Sequence, residues 1–406
     1  MSEAASGQRP ATSAAVPKQV KGLSAVSLLN DFASEMIYPL LPAFITQTLG
    51  GGAIALGALD GAADLTASFF RALSGRWADR PGWQRPLIVS GYAIATLVRP
   101  LIAVAGSAWQ VVAARVTDRI GKGLRSPARD ALIAEVTPVA ARGRAFGFQR
   151  AADHFGAVAG SVAAWLLLSR GFEVRSVIAW SVVPGVFAII VLVRVLADRR
   201  IGGSAETRAR SGKPSADPPI RRSADFWVPI GALTFLLVTR IPETLLLLRL
   251  QDLGVAVSAM PLAWAGLHVV RSAASYPGGW LSDRLGPRSM LGAGAVLFGG
   301  VLLVLARQLS VPLALGVFLL LGLVTGLSEA SDRQVVAALG RGGAGRAFGN
   351  AQALAGLAAL PAGLAFGAVF ERAGGPMALR ASAALTALAL VVWLVVTRKV
   401  FRSPTA

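Results

Sequence analysis

Apolar runs of spanning length recur along the whole 406-residue chain, and a helix needs roughly 20 such residues to cross a bilayer. They predict helices over 22–48, 54–78, 86–106, 108–134, 144–169 and 175–197. A second set follows over 226–250, 258–281, 288–308, 311–333, 346–370 and 376–400. Between the sets lies "LADRRIGGSAETRARSGKPSADPPIRRSADF", rich in Arg, Ser, Gly and Pro, which reads as a polar linker. The pattern predicts an all-α polytopic membrane protein of about 12 transmembrane helices. Its divisions are a tail over 1–21, a six-helix bundle over 22–197, a linker over 198–225, a second bundle over 226–400 and a tail over 401–406.

Composition supports this class. The chain is 54% hydrophobic and 15% charged, against about 25% charged in soluble domains. The net charge of +19 would suit nucleic acid, but the distribution of basic residues points elsewhere. Arg76, Arg80, Arg85, Arg142, Arg144, Arg199, Arg284, Arg288, Arg341 and Arg398 fall in alternate connections. Those between, such as "TQTLGGGAIAL" and "AVAGSAW", hold almost no Lys or Arg. That is the positive-inside pattern, with both termini cytoplasmic and no nucleic-acid partner. Cys is absent, which removes disulfides, thiol nucleophiles and Cys metal sites. Residues Met1 to Val20 lack an apolar core before a cleavage site, so no removable signal peptide is expected and the first hydrophobic helix serves as the insertion signal.

The two halves repeat each other. "GRWADRPGWQR" from Gly75 matches "GGWLSDRLGPR" from Gly278, and "GRAFG" at Gly143 recurs at Gly345. Gly75-Arg-Trp-Ala-Asp79-Arg80-Pro-Gly82 resembles the G-x-L-A-D-R-x-G loop of the major facilitator superfamily, with a degenerate copy over Gly279 to Arg288. The resemblance runs from about Asn30 to Arg398 and implies the major facilitator fold, two homologous six-helix bundles. "NDFASEMIYPLLP" is similar to the first helix of a little-characterised prokaryotic branch, which implies the cytoplasmic (inner) membrane. The family implies a conformational latch formed by Gly75, Asp79, Arg80, Gly82 and Arg85, and by Asp283 and Arg284 in the copy. Arg80 and Arg85 also suffice as positive-inside anchors without a latch.

"ARVTDRIGKGLRSPARD" is the chemically unusual stretch. At 100° per residue, Arg115, Asp118, Arg119, Lys122, Arg125, Arg129 and Asp130 fall within an arc of roughly 140°. Counted from Trp109, Arg119 lies roughly 15 Å deep, at the bilayer midplane. A charge facing lipid there costs at least about 2.5–3.5 kcal/mol, so this face must border a wet cavity or counter-charged helices. The family's fourth helix often carries R-x-x-Q-G-x-G; Arg115 and Gly121 match it, while Asp118 and Arg119 replace Gln and Gly. Arg115, Asp118, Arg119, Lys122 and Arg125, with Arg150 of the fifth helix, form the candidate substrate site, because guanidinium forks match carboxylate or phosphate. A structural ion-pair web between helices is the alternative.

Counter-charges lie at matching depth. Asp31 and Glu35, like Asp60 and Asp64, stand at i, i+4 on one helix face. Asp153 and His154 lie at roughly 14–15 Å in the fifth helix, and histidine titrates near neutral pH. Asp31, Glu35, Asp64, Asp153 and His154 are the candidate proton-coupling groups. For a metal-ion or cationic or hydrophobic drug carrier, Asp31, Glu35, Asp153 and His154 would be ligands instead. Gly147, Gly156 and Gly160 follow the glycine spacing of exporters in this family, with Ser161 in place of Pro. Small residues there serve close helix packing.

No G-x-x-x-x-G-K-[ST], H-E-x-x-H or G-x-S-x-G occurs, so neither ATP hydrolysis nor an enzyme is indicated. The expected function is alternating-access secondary transport of a small solute, proton-coupled, as efflux or antiport, with an organic anion on the basic stripe, as a monomer in the bilayer and without a cofactor. A non-transporting receptor is the remote alternative.

Overall fold

The structure, a computed structural model, describes residues 17–78, 80, 82–137, 142–197, 224–339 and 344–398. The greater part of both tails and of the central linker, with Asp79 and the side chain of Asp283, lies outside the described residues.

Every regular element among the described residues is helical. The first half comprises α1 (Lys18–Ile37, continuing through Tyr38–Leu40, Leu41–Ala43 and a π turn over Phe44–Thr48), α2 (Ala53–Ala78), α3 (Gln84–Ala103), α4 (Ala108–Val136), α5 (Arg142–Ser169) and α6 (Val174–Trp180 and Val182–Ala197). The second comprises α7 (Ala224–Val238, resuming as Glu243–Asp252), α8 (Met260–Leu285), α9 (Pro287–Leu305), α10 (Val311–Leu339), α11 (Ala344–Ala373) and α12 (Gly375–Val396). Nine helical spans among the described residues are long and apolar enough to cross a membrane. The segments that fall short are α1, α4 and α8, which carry Asp31 and Glu35, the basic stripe, and His268 with Arg271.

The duplication reaches into the backbone. Glycines with positive φ stand at Gly50 and Gly254, Gly82 and Gly286, and Gly171 and Gly374. Each pair lies in corresponding connections of the two halves, at the offset of the sequence motifs. Only glycine takes that conformation without strain.

Buried apolar side chains divide into clusters that define how the halves meet. One cluster joins Tyr38, Leu41 and Phe44 of α1 to Leu245 and Leu247 of α7, Leu305 of α9 and Phe370 of α11, at the end remote from the termini. At the terminal end the halves keep separate cores, with Leu23, Ile88 and Leu192 in one and Ile230, Leu291 and Trp393 in the other. The bundles are thus fastened at the remote end. Large apolar side chains such as Leu97, Phe155 and Val395 are exposed on the outer surface, as lipid contact requires.

The first helix of each half is interrupted at the same level. Pro39 has no N–H for the carbonyl of Glu35, and Ser161 of α5 donates its hydroxyl to that oxygen at 3.4 Å. In α7, broken before Pro242, the Ser382 hydroxyl donates to the Thr239 carbonyl at 2.6 Å and accepts the Ile241 N–H at 3.2 Å. Ser382→Ala leaves two buried backbone groups without partners. It should lower stability by about 1–2 kcal/mol, above the ~0.6 kcal/mol typical of one interhelical hydrogen bond in a membrane. The thermal midpoint of the detergent-solubilised protein, compared with that of Ser161→Ala, measures this.

Candidate functional site

A cavity of about 430 Å³ lies between the bundles. The first bundle contributes Glu35, Tyr38, Asp60, Asp64, Arg115, Arg119 and Lys122; the second contributes Arg240, Glu243, Trp264 and His268. Its position follows from local sequence. A capping box fixes where α4 begins: the Ser107 hydroxyl accepts from the Gln110 N–H, while Gln110 Oε1 accepts from the Ser107 N–H. Gly121 and Gly123 let α4 lie against the backbones of α3 and α2, since a Cβ at Gly121 would stand 2.5 Å from the Gly91 oxygen. The charged face is thereby turned inward.

The stripe on α4 separates into two edges. Arg115, Arg119 and Lys122 line the cavity. Asp118, 1% exposed, turns towards α3 and accepts from Arg99 Nε at 3.1 Å, with Arg115 at 3.6 Å. Arg99 also donates to the Asn30 carbonyl at 3.0 Å. Arg125 donates to the Gly91 carbonyl at 3.3 Å and sits over the Tyr92 ring. Arg129 pairs with Asp130 at 3.0 Å and reaches the Ser27 hydroxyl at 2.6 Å. Arg119 and Lys122 have no ion pair among the described residues. The stripe therefore combines an ion-pair web on one edge with unpaired cations on the other.

Two of the carboxylates that line the cavity, Asp60 and Glu35, bridge the bundles. Asp60 accepts from the Tyr38 hydroxyl at 3.1 Å and, across the interface, from the Thr244 hydroxyl at 2.7 Å and N–H at 3.2 Å. Glu35 accepts from Trp264 Nε1 at 2.7 Å. Glu243 is held by Arg271 at 2.6 Å. Tyr38, Thr244 and Trp264 carried no signal in sequence, since their role is fixed by partners on another bundle.

Other expected site residues are dispersed. Asp64 lines the first cavity and His154 a second, while Asp31, Arg150 and Asp153 line neither. Asp31 accepts from Asn30 at 2.9 Å and Asp153 from Gln149 at 2.5 Å. Among the described residues no group of three or more His, Cys, Asp or Glu could hold a metal ion, so Asp31, Glu35, Asp153 and His154 do not form a ligand set. Gly156 and Gly160 press on the α1 backbone at Leu28 and Phe32; the surroundings of Gly147 lie outside the described residues. Of the expected latch, Gly75 has open space beside it, Arg80 lies 6.0 Å from the Trp83 ring, and Arg284 lies 3.9 Å from the Trp280 ring. Nη2 of Arg85 is buried without a hydrogen-bond partner. One contact was not legible beforehand: Gly57 and Gly61 of α2 meet Gly363 and Ala359 of α11 backbone to backbone.

The family model described as Major Facilitator Superfamily matches residues 23–269. An uncharacterised MFS-type transporter of Methanocaldococcus jannaschii is 29% identical over 373 residues, covering 87% of this chain and 89% of its own. A multidrug resistance protein of Photorhabdus laumondii is 31% identical over 133 residues, 32% of this chain and 33% of its own. Among solved structures, a bacterial homologue of the human lysosomal transporter Spinster, in an inward-facing and unoccupied conformation, superimposes with a TM-score of 0.74 at 16% identity over 95% of this chain and 98% of its own. The human organic anion transporter MFSD10 does so with a TM-score of 0.61 at 16% identity, over 93% of this chain and 100% of its own.

Proposed function

The chain belongs to the major facilitator superfamily, and on that footing we propose that it carries a small organic anion across the cell membrane by alternating access. It is a multi-pass membrane transporter, not an enzyme. The observation that carries the anion reading is the pair of unpaired cations, Arg119 and Lys122, facing Arg240 and His268 across a cavity between two bundles. A carboxylate or phosphate placed there gains charge-assisted hydrogen bonds from both bundles. The carboxylates in the same cavity are engaged by Tyr38, Thr244, Trp264 and Arg271, apart from Asp64.

With basic connections cytoplasmic, the fastened remote end faces outward and the cavity is served from the cytoplasm. The partial likeness to multidrug resistance proteins supports export. We assign proton coupling to Glu35 and Asp64, which line the cavity, and add Asp60, which binds Thr244 across the interface. Asp31, Asp153 and His154 would serve as a relay outside that cavity.

Proteoliposome flux tests the reading. Internal organic anions, screened under an imposed pH gradient, should show saturable movement that collapses with the gradient. Movement of metal or organic cations alone would overturn it. Asp60→Asn puts an amide N–H₂ among hydroxyl and N–H donors. Gradient-driven accumulation should fall about tenfold, the equivalent of one charged hydrogen bond, while exchange without a gradient persists.

A further inference from the structure

A second cavity of about 320 Å³ adjoins the first on the side of the second bundle, and the two share Arg240, Ile241, Glu243 and His268 as a common wall. Beyond that wall the lining is amphipathic: Leu246, Leu267, Phe298, Phe318 and Leu321 give an apolar surface, edged by His154, Arg271, Thr325 and Asp332. Together the cavities fall within the range of about 300–1,000 Å³ that holds drug-sized ligands.

The shared wall is polar and incompletely satisfied. Nη2 of Arg240 and both ring nitrogens of His268 are buried without a hydrogen-bond partner in the protein. Such groups cost about 1–3 kcal/mol each when left unmade; a ligand acceptor offsets that cost at the Arg240 guanidinium and at an imidazole N–H of His268. The arrangement is rigid. The His268 ring stands edge-on to Trp264 at 5.0 Å, and Trp264 is itself tied to Glu35. The Arg240 guanidinium lies 5.6 Å from the Phe298 ring centre. Glu243 is committed to Arg271, so it leaves Arg240 free to face an anion.

We infer that the two cavities form one bipartite site for an amphiphilic organic anion. Its anionic head lies between Arg119 and Lys122 on one bundle and Arg240 and His268 on the other. Its compact apolar body, aromatic or branched, lies against Phe298, Phe318 and Leu321. The inference rests on the anion reading above and goes beyond it by assigning the second bundle the selection of the body. A small anion such as acetate would satisfy the cations and leave the apolar compartment unused. An uncharged compound with the same body would leave the cations without an anionic partner. A ligand that fills both compartments binds both bundles and is sensed by whatever moves them.

Binding of acetate, 2-naphthoate and 2-naphthylmethanol to the purified full chain in detergent, by calorimetry or by competition, tests this. 2-Naphthoate should bind at least about tenfold more tightly than either of the others, from the apolar surface it buries and the charge it pairs. Phe318→Ala, which opens the compartment, and Leu321→Trp, which fills it, should each bring the naphthoate-to-acetate affinity ratio towards unity. Leu321→Trp decides the matter if Phe318→Ala does not fold. Equal affinity for acetate and 2-naphthoate, or a ratio that neither variant changes, overturns the bipartite site and leaves the anion reading standing. If the alcohol binds as tightly as the acid and Arg119→Ala weakens neither, the anion reading itself falls.

Discussion

Arg119→Ala is expected to reduce transport of an organic anion on the order of 10–100-fold, the range for losing a charge-assisted hydrogen bond to a buried anion. Membrane insertion and thermal stability should stay close to wild type, because Arg119 supports no ion pair among the described residues. Arg119→Lys should recover part of the activity, since an ammonium keeps the charge but loses the fork. Arg125→Ala provides the contrast from the other edge of α4. Its side chain fills the space between the Gly91 carbonyl and the Tyr92 ring, so its loss should lower the unfolding midpoint before it lowers the affinity for substrate. Undiminished flux in Arg119→Ala would sink the cavity role.

The second large effect is expected at the α2–α11 crossing. Gly57 and Gly363 approach so closely that a Cβ on either would collide with the other's carbonyl oxygen, and a Cβ at Gly61 would stand 2.7 Å from the Ala359 oxygen. Backbone cannot yield as a flexible side chain does. Gly363→Ala should therefore penalise the state fastened at the remote end by about 1–3 kcal/mol, a population change of about 5–150-fold. The chain has no native cysteine, so spin labels at Gln47→Cys and Gln251→Cys report without background. Those two side chains lie 3.4 Å apart at the remote end. The distance distribution between labels should move to longer values in Gly363→Ala. A distribution identical to that of the parent pair would show that the crossing does not hold this end shut.

Much of the fold was legible. Spanning length and hydropathy are properties of contiguous sequence, so the expected 54–78 and 311–333 appear as Ala53–Ala78 and Val311–Leu339. The second boundary is short because Asp332 and Arg333 read as the end of the apolar run, whereas the helix continues through the uncharged Gln334 to Leu339. The repeat was also legible, since motif and offset survive in sequence, and the paired positive-φ glycines extend it. The site was legible only in part. One helical wheel placed seven charges of α4 on a shared face, but cannot say which neighbour each one meets. Asp118 belongs to Arg99 because α3 brings that guanidinium beside it. Asp60 belongs to Thr244, 184 residues away in sequence. Such pairings are made by packing of the bundles, and no periodicity within one helix encodes them.

The interruptions at Pro39 and Pro242 bear on how such a molecule changes shape. An unbroken helix resists bending because each degree strains a ladder of hydrogen bonds on its convex side. Here the ladder already lacks rungs on both sides of the cavity, and serines from neighbouring helices hold the loose carbonyls. The segments beyond each break can tilt as short stiff levers at little elastic cost, giving the closed end compliance of its own alongside any swing of whole bundles.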